Sequence, residues 1–122
     1  MPKRNWIQFG NTALDFDAVV KAAFEARGAR LYIVRGEALE LAAWTEQRAE
    51  VTALKERIKD WPAVRDDAEP GEQFARLDAV DRIEFTTPKD GPAAELFVKG
   101  VFVGQAVGED VVARVRRMVS TT

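Results

Sequence analysis

The sequence predicts an α+β fold in which two degenerate strand–hairpin–helix repeats pack on each other as a pseudo-dimer within one chain. Three observations support this prediction. Two apolar hairpin sequences are present, an amphipathic helical segment follows each of them, and short motifs recur at a nearly constant spacing. The length of 122 residues is that of one ordinary domain, so we expect both repeats to share a single domain spanning residues 1–122.

The two helices have the clearest signals. Between Thr45 and Trp61, the apolar positions Val51, Leu54, Ile58 and Trp61 recur every three or four residues. Thr45 is a candidate N-cap, and Pro62 ends the segment. A second helix is predicted from Glu109 to Val119, because acidic residues begin it and arginines end it. Its predicted buried stripe consists of Val111, Val115, Met118 and Val119.

A hairpin signal precedes each helix. Apolar segments flank Arg35-Gly36 in the first and Lys99-Gly100 in the second, and a glycine in a two-residue loop fits the primed turns of hairpins. In the first hairpin this register pairs Val34 with Glu37. In the second it pairs Phe97 with Phe102 and Leu96 with Val103.

The motif Asp17-Ala18-Val19 recurs 61 residues later as Asp78-Ala79-Val80, and the strands that follow end at Phe24 and Phe85. The two hairpin glycines are 64 residues apart, so the second repeat has three extra residues in a loop rich in Pro, Asp and Gly. We therefore predict repeat one over about 5–61, an acidic linker over 62–72, and repeat two over about 73–119.

One segment supports a different fold. Residues 16–27 also fit a helix, with Asp17 as N-cap, an alanine-rich interior and Gly28 at the C-terminus. The segment from Pro92 to Val103, followed by Gly108, resembles the final hairpin of thioredoxin-like proteins, with Pro92 at the spacing of that family's cis-proline. The resemblance implies an α/β adaptor that binds clients near Pro92, without redox activity because the chain has no cysteine.

Composition excludes several chemistries. The absence of histidine and cysteine excludes disulfides, thiolate nucleophiles, Cys/His metal sites and Ser-His-Asp triads. The carboxylate pairs Asp15–Asp17 and Asp66–Asp67 lie in no catalytic motif, and turn or capping roles explain residues of this kind. We therefore expect a non-enzymatic protein with no cofactor and no metal. No apolar stretch approaches the length of a membrane span, and no signal-peptide pattern is present, so we expect a cytoplasmic protein.

The second hairpin is apolar on both faces, so Phe97 and Phe102 need cover in addition to the helix. The simpler alternative is that the two repeats bury this pair between them. The other is that Phe97, Phe102 and Ile33 belong to a surface for a protein partner or a homodimer, which makes the chain a protein-binding or assembly module.

A further alternative is a nucleic-acid accessory protein that uses Arg114, Arg116 and Arg117, the one basic cluster of the sequence. The net charge of −2 disfavours nucleic acid as the partner, because non-specific binders usually carry a basic surplus.

Overall fold

A computed structural model describes residues 4–66, 71–87, 89 and 91–120. The strands are β1 (Trp6–Phe9), β2 (Thr12–Asp15), β3 (Val19–Phe24), β4 (Ala29–Arg35), β5 (Ala38–Thr45), β6 (Ala63–Val64), β7 (Glu72–Ala75), β8 (Arg82–Thr86), β9 (Ala93–Val98) and β10 (Val101–Val107). The helices are α1 (Arg48–Arg57) and α2 (Glu109–Ser120). The mixture of strands and helices confirms the predicted α+β class.

The strands form three antiparallel sheets. The largest has the order β5-β4-β3-β7-β6, a second has the order β10-β9-β8, and β1 pairs with β2 in a separate hairpin. Arg65, just after β6, forms a two-way backbone bridge with Gln105 of β10, with N–O distances of 2.8 Å in both directions. This bridge connects the five-stranded sheet to the three-stranded one.

Two clusters of buried apolar residues form the core. The first joins β1, β3, β4 and β5 to α1, and Leu54 of α1 and Ile58, which directly follows the helix, are buried in it. The second joins β9, β10 and α2 to other residues of the five-stranded sheet, including Val20 and Ala75. The five-stranded sheet contributes residues to both clusters, so its central strands are buried on both faces.

The helix predicted over 16–27 is wrong. Phe16–Ala18 is a single 3-10 turn, and the following residues form β3, which is buried along its whole length and pairs with β4 on one edge and β7 on the other. Burial on both faces favours an apolar strand at the centre of the sheet and overrides the helical preference of alanine. This result removes the thioredoxin-like fold alternative, since every strand pairing among the described residues is antiparallel.

The hairpin predictions are partly correct. In the second hairpin Phe97 pairs with Phe102 as predicted, but a bulge then places Leu96 opposite Gly104, so its predicted pairing with Val103 is wrong. In the first hairpin the turn is Gly36-Glu37, and Val34 pairs with Leu39, not with Glu37. Gly36 has φ of 63° as the first turn residue, the position where type II′ turns require glycine.

Both helices lie where the sequence placed them, with altered details. α1 begins at Arg48, and Thr45 ends β5 instead of capping the helix. The Thr45 hydroxyl accepts a hydrogen bond from the Gln47 amide and donates one to Glu50. In α2 the buried residues are Val112 and Val115, whereas Val119, predicted to be buried, is 43% exposed.

The stretch predicted as an acidic linker is partly structured. It contains β6 and the first residue of β7. Ala63 and Val64 of β6 pair with Phe74 and Gln73 of β7, so they belong to the five-stranded sheet. Residues 67–70, which include Asp67 and Glu69 of the acidic run, lie outside the described residues.

Arg76 joins the end of β7 to the beginning of β3. Its Nε donates to the Val19 carbonyl at 2.7 Å and its Nη2 to the Phe16 carbonyl at 2.6 Å. The guanidinium also lies 4.7 Å from the Phe16 ring and 4.8 Å from the Trp61 ring. The Arg76 side chain thus donates to two backbone acceptors and packs on two aromatic rings. No sequence motif predicted these contacts.

Candidate partner-binding surface

The three-stranded sheet ends at β8, which is an edge strand. β8 pairs with β9, with Arg82 opposite Phe97 and Ile83 opposite Leu96, and no other described strand pairs with it. Its side chains alternate between two faces. Ile83 packs on the second core cluster, and Arg82 and Glu84 lie on the opposite, outer face.

The outer face carries the aromatic pair that the sequence singled out. Phe97 and Phe102 are directly opposite each other, with ring centroids 5.8 Å apart in an edge-to-face arrangement. Phe102 is 37% exposed, and the guanidinium of Arg82 lies 4.0 Å from the centre of the Phe97 ring. The pair is therefore not enclosed between the two halves of the chain. The outer face instead presents a cation over the Phe97 ring beside the partly exposed Phe102 side chain.

Sequence inspection missed Arg82, although a signal for it exists. Once β8 is aligned antiparallel to β9, the residue opposite Phe97 is Arg82, and an arginine beside an aromatic on one sheet face makes contact with it.

The other face of the same edge contains a concavity of about 540 Å³ between β8 and the C-terminal turn of α2. Its apolar lining includes Val80, Ile83, Phe85 and Val119, and Asp78 and Asp81 add negative charge. Phe85 is 38% exposed although the Arg116 guanidinium lies 3.9 Å from its ring. Exposed apolar side chains therefore occur on both faces of the three-stranded sheet, Phe85 on one and Phe102 on the other.

Ile33, the third predicted surface residue, lies elsewhere. It is part of β4 in the five-stranded sheet, half-buried opposite Val19 and Glu40. It lines a separate concavity of about 310 Å³ with Leu14 and Leu41. The structure thus groups Phe97 with Phe102 and places Ile33 on a different sheet.

The arginines of α2 have separate contacts. Arg114 donates from Nη2 to the Asp60 carbonyl at 2.9 Å, and Arg116 stacks on Phe85. Arg117 is exposed near the end of the helix. Two of the three predicted cluster members are therefore engaged in contacts within the chain.

The candidate carboxylates have local structural roles. Asp15 accepts a hydrogen bond from the Asp17 amide at 3.0 Å and caps the 3-10 turn. That bond and the nearby Arg4 side chain lower the pKa of Asp15 against a smaller opposing effect of burial. Asp66 lies 3.5 Å from Nζ of Lys21, a fully buried lysine in β3 that no substrate could reach from solvent.

Comparison with known proteins gives no matching family model and no significant match to a curated protein or to a solved structure. Within the described residues, neither helix has the length and apolar character that crossing a membrane requires.

Proposed function

We propose that this chain is a non-enzymatic protein-binding or assembly module that engages its partner through the outer face and free edge of the three-stranded sheet. The observation that carries the proposal is the position of Phe102, exposed beside the Phe97–Arg82 stack and two strands away from the open β8 edge. Aromatic and arginine side chains dominate the energetics of protein interfaces. Edge strands add main-chain hydrogen bonds to such contacts.

The same proposal includes two degenerate repeats packed as a pseudo-dimer. Its support is the shared order of elements, since a 3-10 turn, a strand, a hairpin and a helix occur in each half. The two 3-10 turns, Phe16–Ala18 and Leu77–Ala79, lie 61 residues apart, the spacing of the sequence match.

We place the protein in the cytoplasm as part of this proposal, supported by a composition without cysteine. Nucleic acid is the weaker alternative partner, because Arg114 and Arg116 are already held by Asp60 and Phe85.

The test is affinity capture from a cell lysate with immobilised wild type, Phe102→Glu and Leu41→Glu. Leu41 is a matched control, because it is an exposed apolar residue on the five-stranded sheet. A charged carboxylate at position 102 removes apolar contact area and adds a desolvation cost on binding. We expect the captured partner to be lost with Phe102→Glu and retained with Leu41→Glu. Equal capture by all three proteins would refute the proposed surface.

A further inference from the structure

The corresponding strands of the two halves, β3 and β8, differ in the number of strands that pair with them. β3, which follows the first 3-10 turn, has β4 on one edge and β7 on the other. β8, which follows the second 3-10 turn, has β9 on one edge, and no described strand occupies its other edge. Both strands that pair with β3 are antiparallel to it. By analogy, we expect a strand that pairs with the open edge of β8 to be antiparallel as well.

We propose that a second copy of this chain completes the sheet, with the two β8 strands antiparallel and Ile83 facing Ile83 of the second copy. The resulting dimer has one continuous six-stranded sheet across the two-fold axis. This inference rests on the proposed function, because it assigns a partner to the same edge.

Symmetry restricts the pairing to a few registers. A two-fold axis that joins two antiparallel edges is normal to the sheet, so residues facing each other across it lie on the same face. The axis must then pass beside one residue of β8. An axis at Arg82 places two arginines opposite each other, and an axis at Glu84 does the same with two glutamates.

A two-fold axis beside Ile83 instead brings opposite charges of the two copies together. It places Arg82 opposite Glu84 of the second copy, and by symmetry Glu84 opposite Arg82, on the outer face. Both side chains are more than half exposed, at 55% and 52%, and lie 3.7 Å apart within one chain. Pairing across the axis requires the Arg82 guanidinium to turn from the Phe97 ring, 4.0 Å away on β9, toward the open edge. Opposite charges facing each other across strands stabilise a pair, and like charges destabilise it. An axis at Phe85 leaves Glu84 opposite Thr86, without such a pair.

The apolar face of the edge supports the same partner. Phe85 and Val119 are exposed beside the concavity that β8 forms with α2. A two-fold axis at Ile83 places the same patch of the second copy across the edge, where it covers these side chains.

The test measures the dissociation constant of the dimer by analytical ultracentrifugation for wild type, Arg82→Glu, Glu84→Arg and an equimolar mixture of the two variants. Each variant alone places two like-charge pairs across the axis, so we expect its dimer to weaken by about tenfold or more. In the mixture, a chain with glutamate at both positions faces a chain with arginine at both, so all opposed charges attract and a heterodimer forms. Circular dichroism verifies that each variant is folded.

The control variants are Arg35→Glu and Glu40→Arg, an exposed pair at 3.7 Å on the first hairpin. These changes leave the dimer intact if β8 is the interface. Three results would overturn the inference: a wild type that is monomeric at all concentrations, single variants that dimerise like wild type, or a mixture that stays monomeric. Glu84→Arg does not remove the Arg82–Phe97 stack, so its effect separates pairing from folding.

Failure of this inference is distinguishable from failure of the proposed function. If the wild type is monomeric but captures a partner in a Phe102-dependent way, the proposed dimer is refuted. The proposed binding surface is then still supported.

Discussion

Substituting Arg76 by methionine is the most direct test of what joins the two halves of the chain. Methionine keeps much of the aliphatic contact with the Phe16 and Trp61 rings and removes the guanidinium that donates to two backbone carbonyls. Those carbonyls belong to Phe16 and Val19, at the entry to the central strand β3.

The magnitude follows from these contacts. A hydrogen bond from a charged donor contributes about 1.5–3 kcal/mol, so two of them set an upper range of about 3–6 kcal/mol. Burial lowers the pKa of the Arg76 guanidinium, which shows that its desolvation offsets part of that gain. We therefore expect a loss of about 3 kcal/mol in the free energy of unfolding, which corresponds to roughly 10 °C in Tm for a chain of this length.

The assay is equilibrium unfolding in urea, followed by circular dichroism and by tryptophan fluorescence, with Arg116→Met as the matched control. Arg116 stacks on Phe85 at 3.9 Å but is exposed, so its removal should cost less than about 1 kcal/mol. Arg76→Lys keeps the charge without the planar fork and should fall between wild type and Arg76→Met. Equal losses for Arg76→Met and Arg116→Met would refute the importance of the two carbonyl bonds.

Two further stability predictions concern other contacts between elements. Hydrogen bonds from the Thr45 hydroxyl and the Gly10 amide lower the pKa of Glu50 below its ordinary value near 4.5. Its contribution is therefore present above that value and lost as the pH falls through the folded-state pKa, so the stability difference between wild type and Glu50→Gln should shrink on acidification. A difference that stays constant from neutral to acid pH in urea titrations would contradict this. Gly104→Ala should cost about 2 kcal/mol or more, because its Cβ would lie 2.6 Å from Val64 Cγ2 at a φ of 157°; unchanged urea unfolding would contradict the close approach of β10 to β6.

The elements that the sequence predicted are those specified by local patterns. α1 and α2 follow from apolar residues at helical spacing, and the Phe97–Phe102 pairing follows from a two-residue turn. The sequence contains no comparable signal for pairing between strands that do not form a hairpin. β6 has only two residues, and its place in the sheet depends on β7, which lies beyond a segment that composition marked as a linker.

The incorrect details also have physical causes. A large aromatic residue next to a helix usually packs in the core, yet Trp44 is 59% exposed, because it faces solvent on β5, the edge strand of the five-stranded sheet. Val119 fits the apolar stripe of α2 by spacing, but it lies beside β8, the last strand of the sheet, and is 43% exposed. Local periodicity identifies the apolar face of a helix, but it does not show how far the sheet beneath that face extends.

The charges on β8 have two opposite interpretations that the structure helps to separate. Edge strands often carry charged side chains as protection against unwanted pairing, and Arg82 and Glu84 could serve that purpose. Charges of one sign repel every copy of the same edge, whereas a positive and a negative residue symmetric about Ile83 attract one in the antiparallel register. The proposed repeat aligns Arg82 with Lys21 and Glu84 with Ala23 of β3, and both β3 residues are fully buried between neighbouring strands. Lys21 already carries a positive charge, so the aligned positions differ in charge only at Glu84, which is exposed where Ala23 is buried. The resulting pair of opposite charges at the open edge is the arrangement that the proposed pairing with a second copy requires.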